Sequence, residues 1–278
     1  MSAELLKLCD PQEYYEPYLL QGVYPDGRSL SDFRGTSVQV GYNVSARGSA
    51  LVKQAGSMVD VSVYLELAVK GEEPQLLFSV EGPESADETA LDDAHMILGQ
   101  MSENKTLVDM ESIACNDERL MWVVKVNVEI LSIDTSYIDA MVAAVTAAFL
   151  DTKVPEVRFA EAIDEDAPVD LTKAIITDKC SPFKLVDVPI SSSFAIYKTR
   201  TCKESKCILL VDPIDELSKV IVSKCIFVVG EGETVHSMLM SGGEAVDLET
   251  IKKFHAFAKR RHESLTAALR NITGRLVN

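Results

Sequence analysis

The sequence predicts an α+β fold built from two halves that repeat one order of elements, several strands and then a helix. Each half opens with short valine-rich runs interrupted by Gly and Ser, which is the pattern of strands joined by turns. Each half closes with a longer stretch of helical apolar periodicity. The chain has 278 residues, 47% hydrophobic and 25% charged, which is enough to bury a sizeable core. Only the order of elements repeats, not the sequence.

Residues 1–23 are predicted to form a short arm, helical or irregular, ahead of the first turn. Tyr14, Tyr15, Tyr18 and Leu19 are spaced so that a helix would place them on one apolar face. We therefore expect the arm to pack on the body of the protein or on a neighbour.

In the first half, the sequence predicts a meander of three strands, a polar loop, an amphipathic helix, a half-buried strand and a buried helix. The loop contains proline, the first helix has apolar residues at helical spacing, and the fourth strand alternates Val with polar residues. In chain order these elements are Thr36–Val44, Gly48–Gln54, Met58–Leu67, Gly71–Asp87, Ala90–Met101, Trp122–Ile133 and Ile138–Leu150.

The second half follows an irregular connection, Val154–Pro189, which contains short strands and an acidic run that we expect to be solvated. The run consists of Glu161, Asp164, Glu165, Asp166 and Asp170. Strands are predicted at Ile190–Lys198, Cys207–Val211, Val220–Val229 and Thr234–Met240. A long helix follows with Asp247 as its N-cap. Its core-facing stripe is Leu248, Ile251, Phe254, Ala258, Leu265, Leu269 and Ile272.

The element order predicts an arm over residues 1–23 and a single domain over residues 24–278. Within the domain, the two halves cover about 24–153 and 185–278, and the acidic connection covers 154–184.

The net charge of −16 argues against strong RNA binding by the chain alone. RNA phosphates are bound through Lys and Arg, which displace counterions. Three interpretations remain: the protein does not act on RNA, its basic surface is local, or basic partner chains supply that surface.

Cysteine and histidine usage predicts reduced, structural thiols and no metal or cofactor site. The six cysteines form no CxxC pair, and the four histidines are far apart except for His255 and His262. The sequence has no run of about 18 apolar residues and no secretory signal, so we expect the protein inside the cell and not in a membrane.

The segment after the arm combines fixed turn chemistry with two arginines. Pro25 fixes its own φ, and Asp26-Gly27 is a turn dipeptide, so Arg28 follows a sharp bend. The characteristic motifs, in chain order, are Tyr24-Pro25-Asp26-Gly27-Arg28, Asp32-Phe33-Arg34, Gly41 and Gly48-Ser49-Ala50-Leu51-Val52.

In this order of motifs, and along essentially its whole length, the chain resembles the ribonuclease PH-like family. The resemblance implies the ribonuclease PH-like fold, also called the ribosomal protein S-five domain-two-like fold. It is strongest to the non-catalytic ring subunits of the eukaryotic RNA exosome, and archaeal ring subunits of the inactive class are an alternative. It implies ribonuclease PH-like exosome paralogues in a hetero-hexameric ring, RNA-binding cap subunits and an exosome-associated nuclease as partners. It also implies single-stranded RNA in the assembled channel, and a location in the nucleus, nucleolus and cytoplasm.

The resemblance also implies that the family's chemistry is missing. Active members hold phosphate with a Gly-Gly-Thr-Arg-like motif, and here Asp139 stands where the arginine stood. A unit charge pair about 4 Å apart is worth roughly 4 kcal/mol at an effective dielectric near 20, so a change of sign opposes anion binding. Ser218 and Lys224 fall at the positions of the catalytic carboxylates. In active members, an arginine-rich loop binds the RNA backbone. In this chain no arginine occurs between Arg47 and Arg119, and the corresponding segment is acidic.

Several charged residues have both a structural and a functional interpretation. Arg28 and Arg34 either contact RNA or, as we favour, pair with acids such as Asp26 and Asp32 to lock the turn. The basic cluster on the final helix is interpreted first as a solvated face and second as an RNA or partner contact. It comprises Lys252, Lys253, Lys259, Arg260, Arg261 and His262. The acids Asp212, Asp215 and Glu216 could suggest general acid/base chemistry, but acids in a turn are usually solvated. Gly242-Gly243 is interpreted as a hinge and not as a phosphate-binding turn.

Three functions compete. The first is a non-catalytic subunit of the exosome ring, which combines an intact fold with absent chemistry. The second is an active phosphate-dependent 3′-5′ exoribonuclease, which would need the missing Arg and Asp signatures. The third is an acidic adaptor for protein contacts outside any RNA machine, which would be a stable lone monomer.

Overall fold

The computed structural model describes residues 3–71, 76–84, 88–103, 107–108, 113, 115, 119–159, 171–200, 206–243 and 245–274. Two short helices begin the chain, α1 (Ala3–Cys9) and α2 (Pro11–Leu20). Asp10 caps α2 by accepting a hydrogen bond from the Glu13 amide. Tyr15 and Leu19 are buried against the second half of the protein, so the arm packs on the body as expected.

The first sheet has five strands in the order β1-β2-β3-β5-β4. All neighbours are antiparallel except β4 and β5, which are parallel. Val59, Val61 and Val63 alternate along β3 and turn one face of the sheet into the core. The strands are β1 (Thr36–Val40), β2 (Gly48–Gln54), β3 (Ser57–Val69), β4 (Leu76–Glu81) and β5 (Leu120–Ser132).

A second sheet of four antiparallel strands forms the other half, in the order β11-β10-β8-β9. Between the two sheets in sequence lies an antiparallel hairpin of β6 (Lys153–Phe159) and β7 (Ala174–Pro182). The strands of the second sheet are β8 (Ile190–Lys198), β9 (Cys207–Val211), β10 (Ile221–Val229) and β11 (Val235–Gly242).

One helix is buried between the sheets. In α4 (Tyr137–Asp151) every residue up to Leu150 is buried, as its Ala- and Val-rich sequence predicts. It packs on β2 and β3 on one side and on Ile190, Ile226 and Val228 of the second sheet on the other. The helix α3 (Glu88–Glu103) adds Ala94, Ile97 and Leu98 to the same core.

The last helix, α5 (Leu248–Ile272), covers the opposite face of the second sheet. Phe254 stacks on Phe194 of β8 with ring centroids 4.6 Å apart, and Ala258 completes this contact. The Asp247 side chain accepts a hydrogen bond from the Thr250 amide, which confirms the predicted N-cap. Along the helices that the structure describes, no segment is both long and apolar enough to cross a membrane.

Two predicted elements need correction. The range Gly71–Asp87 is not all loop, because β4 adds to the edge of the first sheet there. The short strands predicted in the connection Val154–Pro189 are present as the β6–β7 hairpin, and its acidic run lies outside the described residues. The stripe of α5 is buried only in its middle, since Leu248 and Ile272 are exposed at its ends.

Candidate functional site

The first buried ion network joins the segment after the arm to both halves. The guanidinium of Arg34 binds the carboxylate of Asp212 in bidentate fashion, through Nε at 3.0 Å and Nη2 at 2.7 Å. Its Nη1 donates to Asp134 at 2.8 Å, and Nη2 also reaches Ser136 at 2.7 Å. Arg34 therefore connects the first half to the turn after β9.

Asp212 is fully buried although it lies in a turn. Its backbone has φ of 48°, a left-handed conformation, and its carboxylate accepts from the Arg34 amide and from the Ser136 hydroxyl. Burial alone would raise the pKa of Asp212, but the hydrogen bonds and charge of Arg34 hold it below its ordinary value. The prediction of a solvated acid here was wrong.

Arg28 stabilises the same region through backbone carbonyls. Its Nη2 donates to the carbonyl of Asp212 at 2.7 Å, its Nη1 donates to the carbonyl of Asp32, and its Nε lies 3.8 Å from Asp26. Arg28 thus locks the N-terminal turn as predicted. Arg34 does not pair with Asp26 or Asp32, because its charge is taken by Asp134 and Asp212.

The second network surrounds Asp139 in the first turn of α4. Its Oδ1 accepts from the hydroxyls of Ser191 and Ser193 at 2.8 and 2.9 Å. Its Oδ2 accepts from the Ser193 amide at 3.0 Å and from Nη1 of Arg261 at 2.8 Å. Four donors fill the roughly four lone-pair sites of this carboxylate.

An open strand edge makes this arrangement possible. β9 pairs with β8 only from Phe194 onward, and beyond it the Asp212 amide donates to the Ser193 carbonyl at 2.9 Å. Among the described residues, no strand pairs with this edge of β8 at Ser191–Ser193. The Ser193 amide can therefore donate to a side chain of α4. Arg261 reaches the same point from α5, where it also donates to Gln54 and lies over the Phe33 ring at 4.5 Å.

Burial of Arg261 and His262 corrects the prediction for the basic cluster. Their exposed fractions are 7% and 8%, and His262 contacts the carbonyl of Val188 at 2.8 Å. Lys252, Lys253 and Arg260 are exposed as predicted. The cluster is thus part core and part surface.

The other predicted positions lie apart from the two networks. Ser218 is exposed at the end of a 3-10 turn, Asp215–Leu217. Lys224 is half-buried in β10, where its cross-strand neighbours are Ala195 and Ser241. Glu216 binds the Tyr15 hydroxyl at 2.7 Å and Lys7 at 2.7 Å, and these two hydrogen bonds lower its pKa.

Both networks border one groove of about 620 Å³ between residues 31–36 and α5. Arg34 and Arg261 line it, but their charges are matched by Asp134, Asp139 and Asp212. Among the described residues, no group of three or more His, Cys, Asp or Glu side chains is arranged to hold a metal. The charges of Arg34 and Arg261 are therefore neutralised inside the protein, and the exposed Arg260 also lines the groove.

Sequence comparison identifies relatives of this chain. Residues 32–155 match the family described as the 3′ exoribonuclease family, domain 1. The Exosome complex component Rrp42 of Sulfurisphaera tokodaii is 31% identical over 153 residues, which are 50% of this chain and 55% of that protein. The component of the same name from Pyrococcus abyssi is 27% identical over 246 residues, 84% of each chain. The chain thus spans about half of the first relative and most of the second.

Structural comparison shows the same fold. A solved structure described as the Archaeoglobus fulgidus exosome with RNA bound to the active site superposes with a TM-score of 0.70. The match covers 96% of this chain and 98% of that chain at 21% sequence identity. The α+β ribonuclease PH-like fold predicted from the sequence is confirmed.

Proposed function

Because the chain carries a domain of the 3′ exoribonuclease family over residues 32–155, we propose that it is a non-catalytic subunit of the hexameric ring of an RNA exosome. In this role it shapes the channel for single-stranded RNA in 3′-to-5′ processing and degradation, including rRNA maturation and mRNA turnover. Its partners are ribonuclease PH-like paralogues, RNA-binding cap subunits and a separate nuclease. The protein works in the nucleus, nucleolus and cytoplasm.

The observation that carries the proposal is that donors within the protein already occupy the hydrogen-bonding sites of the Asp139 carboxylate. The family resemblance puts Asp139 at the position of a phosphate-binding arginine. Its carboxylate is fully buried and accepts four hydrogen bonds, one of them from Arg261. A phosphate would have to enter beside this negative charge and compete for donors that are already used. We therefore assign the chain a structural and not a catalytic role.

We carry over the remaining site assignments as part of the same proposal. Ser218 and Lys224 stand at the positions of the catalytic carboxylates, and neither can supply one. The domain extends over residues 24–278 with the arm, residues 1–23, docked on it. Within the eukaryotic inactive class, the resemblance is nearest to the type called ribosomal RNA-processing protein forty-three, and the forty-two and forty-five types share the same losses.

Ring reconstitution tests this function. The purified chain is mixed with the five other ring proteins, and the assembly is measured by native mass spectrometry. We expect one copy per hexamer and no closed ring when the chain is left out. The position it takes between its neighbours identifies the paralogue. A chain that stays a monomer in this mixture would support the adaptor function instead.

A further inference from the structure

The outer face of the first sheet carries three acids side by side. Asp60 of β3 lies directly opposite Glu129 of β5, and Glu129 lies beside Glu81 of β4 in the parallel register. Side chains at directly opposite positions project to the same face, with Cβ atoms about 5 Å apart. Like charges in such a row repel each other and destabilise the sheet. The row therefore lowers the stability of the isolated chain.

The charges of this row are unmatched within the part of the chain that the structure describes. No described cation forms an ion pair with Asp60, Glu81 or Glu129, whereas at the other end of the same face Lys125 binds Glu66 at 2.6 Å. Oδ1 of Asp60 is buried and has no hydrogen-bond partner among the described residues. Burial raises the pKa of Asp60, and the charge of Glu129 raises it further. Asp60 therefore lacks a donor that a partner could supply.

The face that carries the row is accessible. The opposite face of the sheet, with Val59 and Val61 of β3, is buried in the core against α4. On the outer face, β5 and β4 present exposed side chains next to Asp60. Leu131, two residues after Glu129, is 44% exposed and adds an apolar contact to this surface. The exposed members are Ser79, Glu81, Asn127, Glu129 and Leu131.

We infer that this sheet face, centred on Asp60, Glu81 and Glu129, docks a lysine- or arginine-bearing surface of a neighbouring chain in the ring. Basic side chains would neutralise the three carboxylates and donate to Oδ1 of Asp60. The same row would repel the phosphates of RNA, and the described residues contain no group of three or more acids, His or Cys arranged to hold a metal.

The charge of the whole chain agrees with such a neighbour. A chain with a net charge of −16 depends on basic partners if the assembly around it is to bind RNA. A basic surface docked on the first sheet would bring such a partner into contact with the chain. This inference rests on the proposed function, for which it names an interface and the chemistry of the neighbour.

The test is a competition for ring entry between the wild-type chain and Glu129→Lys, which reverses the central charge of the row. Equal amounts of the variant and of ¹⁵N-labelled wild type compete for a limiting amount of the other five ring proteins, and native mass spectrometry measures the ratio in the ring. We expect wild type to exceed Glu129→Lys about tenfold. The matched control is Asp178→Lys, which makes the same charge change at an exposed position of β7 and should compete equally with wild type.

Thermal unfolding of the isolated variant separates weaker docking from misfolding. A lysine at position 129 lies between Asp60 and Glu81 and replaces repulsion by attraction. We therefore expect Glu129→Lys to raise the midpoint of thermal unfolding by about 1–3 °C while it weakens ring entry. A lower midpoint would show that the row is not repulsive and would overturn the inference.

Equal entry of Glu129→Lys and wild type, or an equal loss in Asp178→Lys, would also overturn the inference. A wild-type chain that enters no ring contradicts the proposed function, and the face is then tested by the binding of fluorescein-labelled octalysine to the full chain. Anisotropy at low salt should show wild type and Asp178→Lys binding alike and Glu129→Lys binding about tenfold more weakly. Equal binding by all three proteins would overturn the assignment of the face to a basic partner.

Discussion

The carboxylate of Asp139 lies 2.8 Å from the guanidinium of Arg261, and this pair is closed off from solvent. The two side chains come from α4, between the sheets, and from α5, outside the second sheet. Burial of a charge is costly unless its hydrogen bonds are complete, and Asp139 meets that condition with four donors. The pair therefore links α4 to α5, and the Asp139 carboxylate neutralises the charge of Arg261.

Replacing Asp139 should destabilise the fold strongly. Asp139→Ala leaves Arg261 buried without its anion, and breaking a buried pair in this way costs about 3–5 kcal/mol. The free energy of unfolding in urea measures the loss. Asp215→Ala, an exposed acid, is the control and should change stability by no more than about 0.5 kcal/mol. The double variant Asp139→Ala/Arg261→Met should recover part of the loss, and a single-variant loss below about 1 kcal/mol would contradict the account.

Arg34 should not tolerate lysine. Its planar guanidinium binds Asp212 through two nitrogens and reaches Asp134 and Ser136 as well, whereas a lysine ammonium is a single point donor. We expect Arg34→Lys to lower the free energy of unfolding by about 2–4 kcal/mol. Arg260→Lys, at an exposed position of α5, should be neutral. Equal stability of the two variants in urea would show that the geometry of the fork is unimportant.

The pair of Asp212 and Arg34 should make stability depend on acid. The pKa of Asp212 is lowered in the fold, because the bonds and charge of Arg34 outweigh burial, which acts in the other direction. A lowered folded pKa contributes stability that is complete above the unfolded value, about 3.9, and is lost as the pH falls through the folded value. The difference in unfolding free energy between wild type and Asp212→Asn should be constant from pH 7 to 5 and shrink below about pH 4. A difference that stays constant down to pH 2.5 would assign the acid dependence to other groups.

Gly230 should resist any side chain. Its missing Cβ leaves room for Asp187 and His236, whose Oδ2 and Nε2 atoms lie 2.6 Å apart, and a Cβ would overlap both atoms. Gly230→Ala should cost about 1–3 kcal/mol of stability. The opposite sign is expected for Gly99→Ala, because Gly99 lies inside α3 with open space around it and Ala favours helix by about 1 kcal/mol. Thermal unfolding of both variants checks the pair of signs.

Periodicity was sufficient to predict most of the fold. The limits of β2, β8 and β9 were predicted to the residue, α4 was predicted from its Ala- and Val-rich sequence, and α5 was predicted from its apolar spacing. β4 was missed because it is an edge strand in a polar stretch with proline, and its Leu-Leu-Phe start has no alternation to distinguish it. Edge strands are specified by one neighbour only, and that neighbour, β5, lies about forty residues further along the chain.

The site was harder to predict because its partners are distant in sequence. Asp139 was identified from its motif, but Arg261 was predicted to lie on a solvated face. Nothing near Arg261 in the sequence indicates that it forms an ion pair with Asp139 in the fold. Asp212 was predicted to be solvated because it lies in a turn, where acids are usually solvated. Its burial depends on Arg34, which is 178 residues away in sequence. The Ser191 and Ser193 donors gave no signal at all, because serine in a strand is ordinary.

Phosphorolysis by the chain alone tests the central claim most directly. The purified protein is incubated with a short single-stranded RNA, with and without inorganic phosphate, and the release of nucleoside diphosphates is followed. An active ribonuclease PH-like enzyme serves as the positive control. The account predicts no phosphate-dependent release, because Asp139 and its four donors leave no place for the attacking phosphate. Nucleoside diphosphates released by the wild-type chain, and lost in Arg261→Met, would contradict the account and make the protein an enzyme.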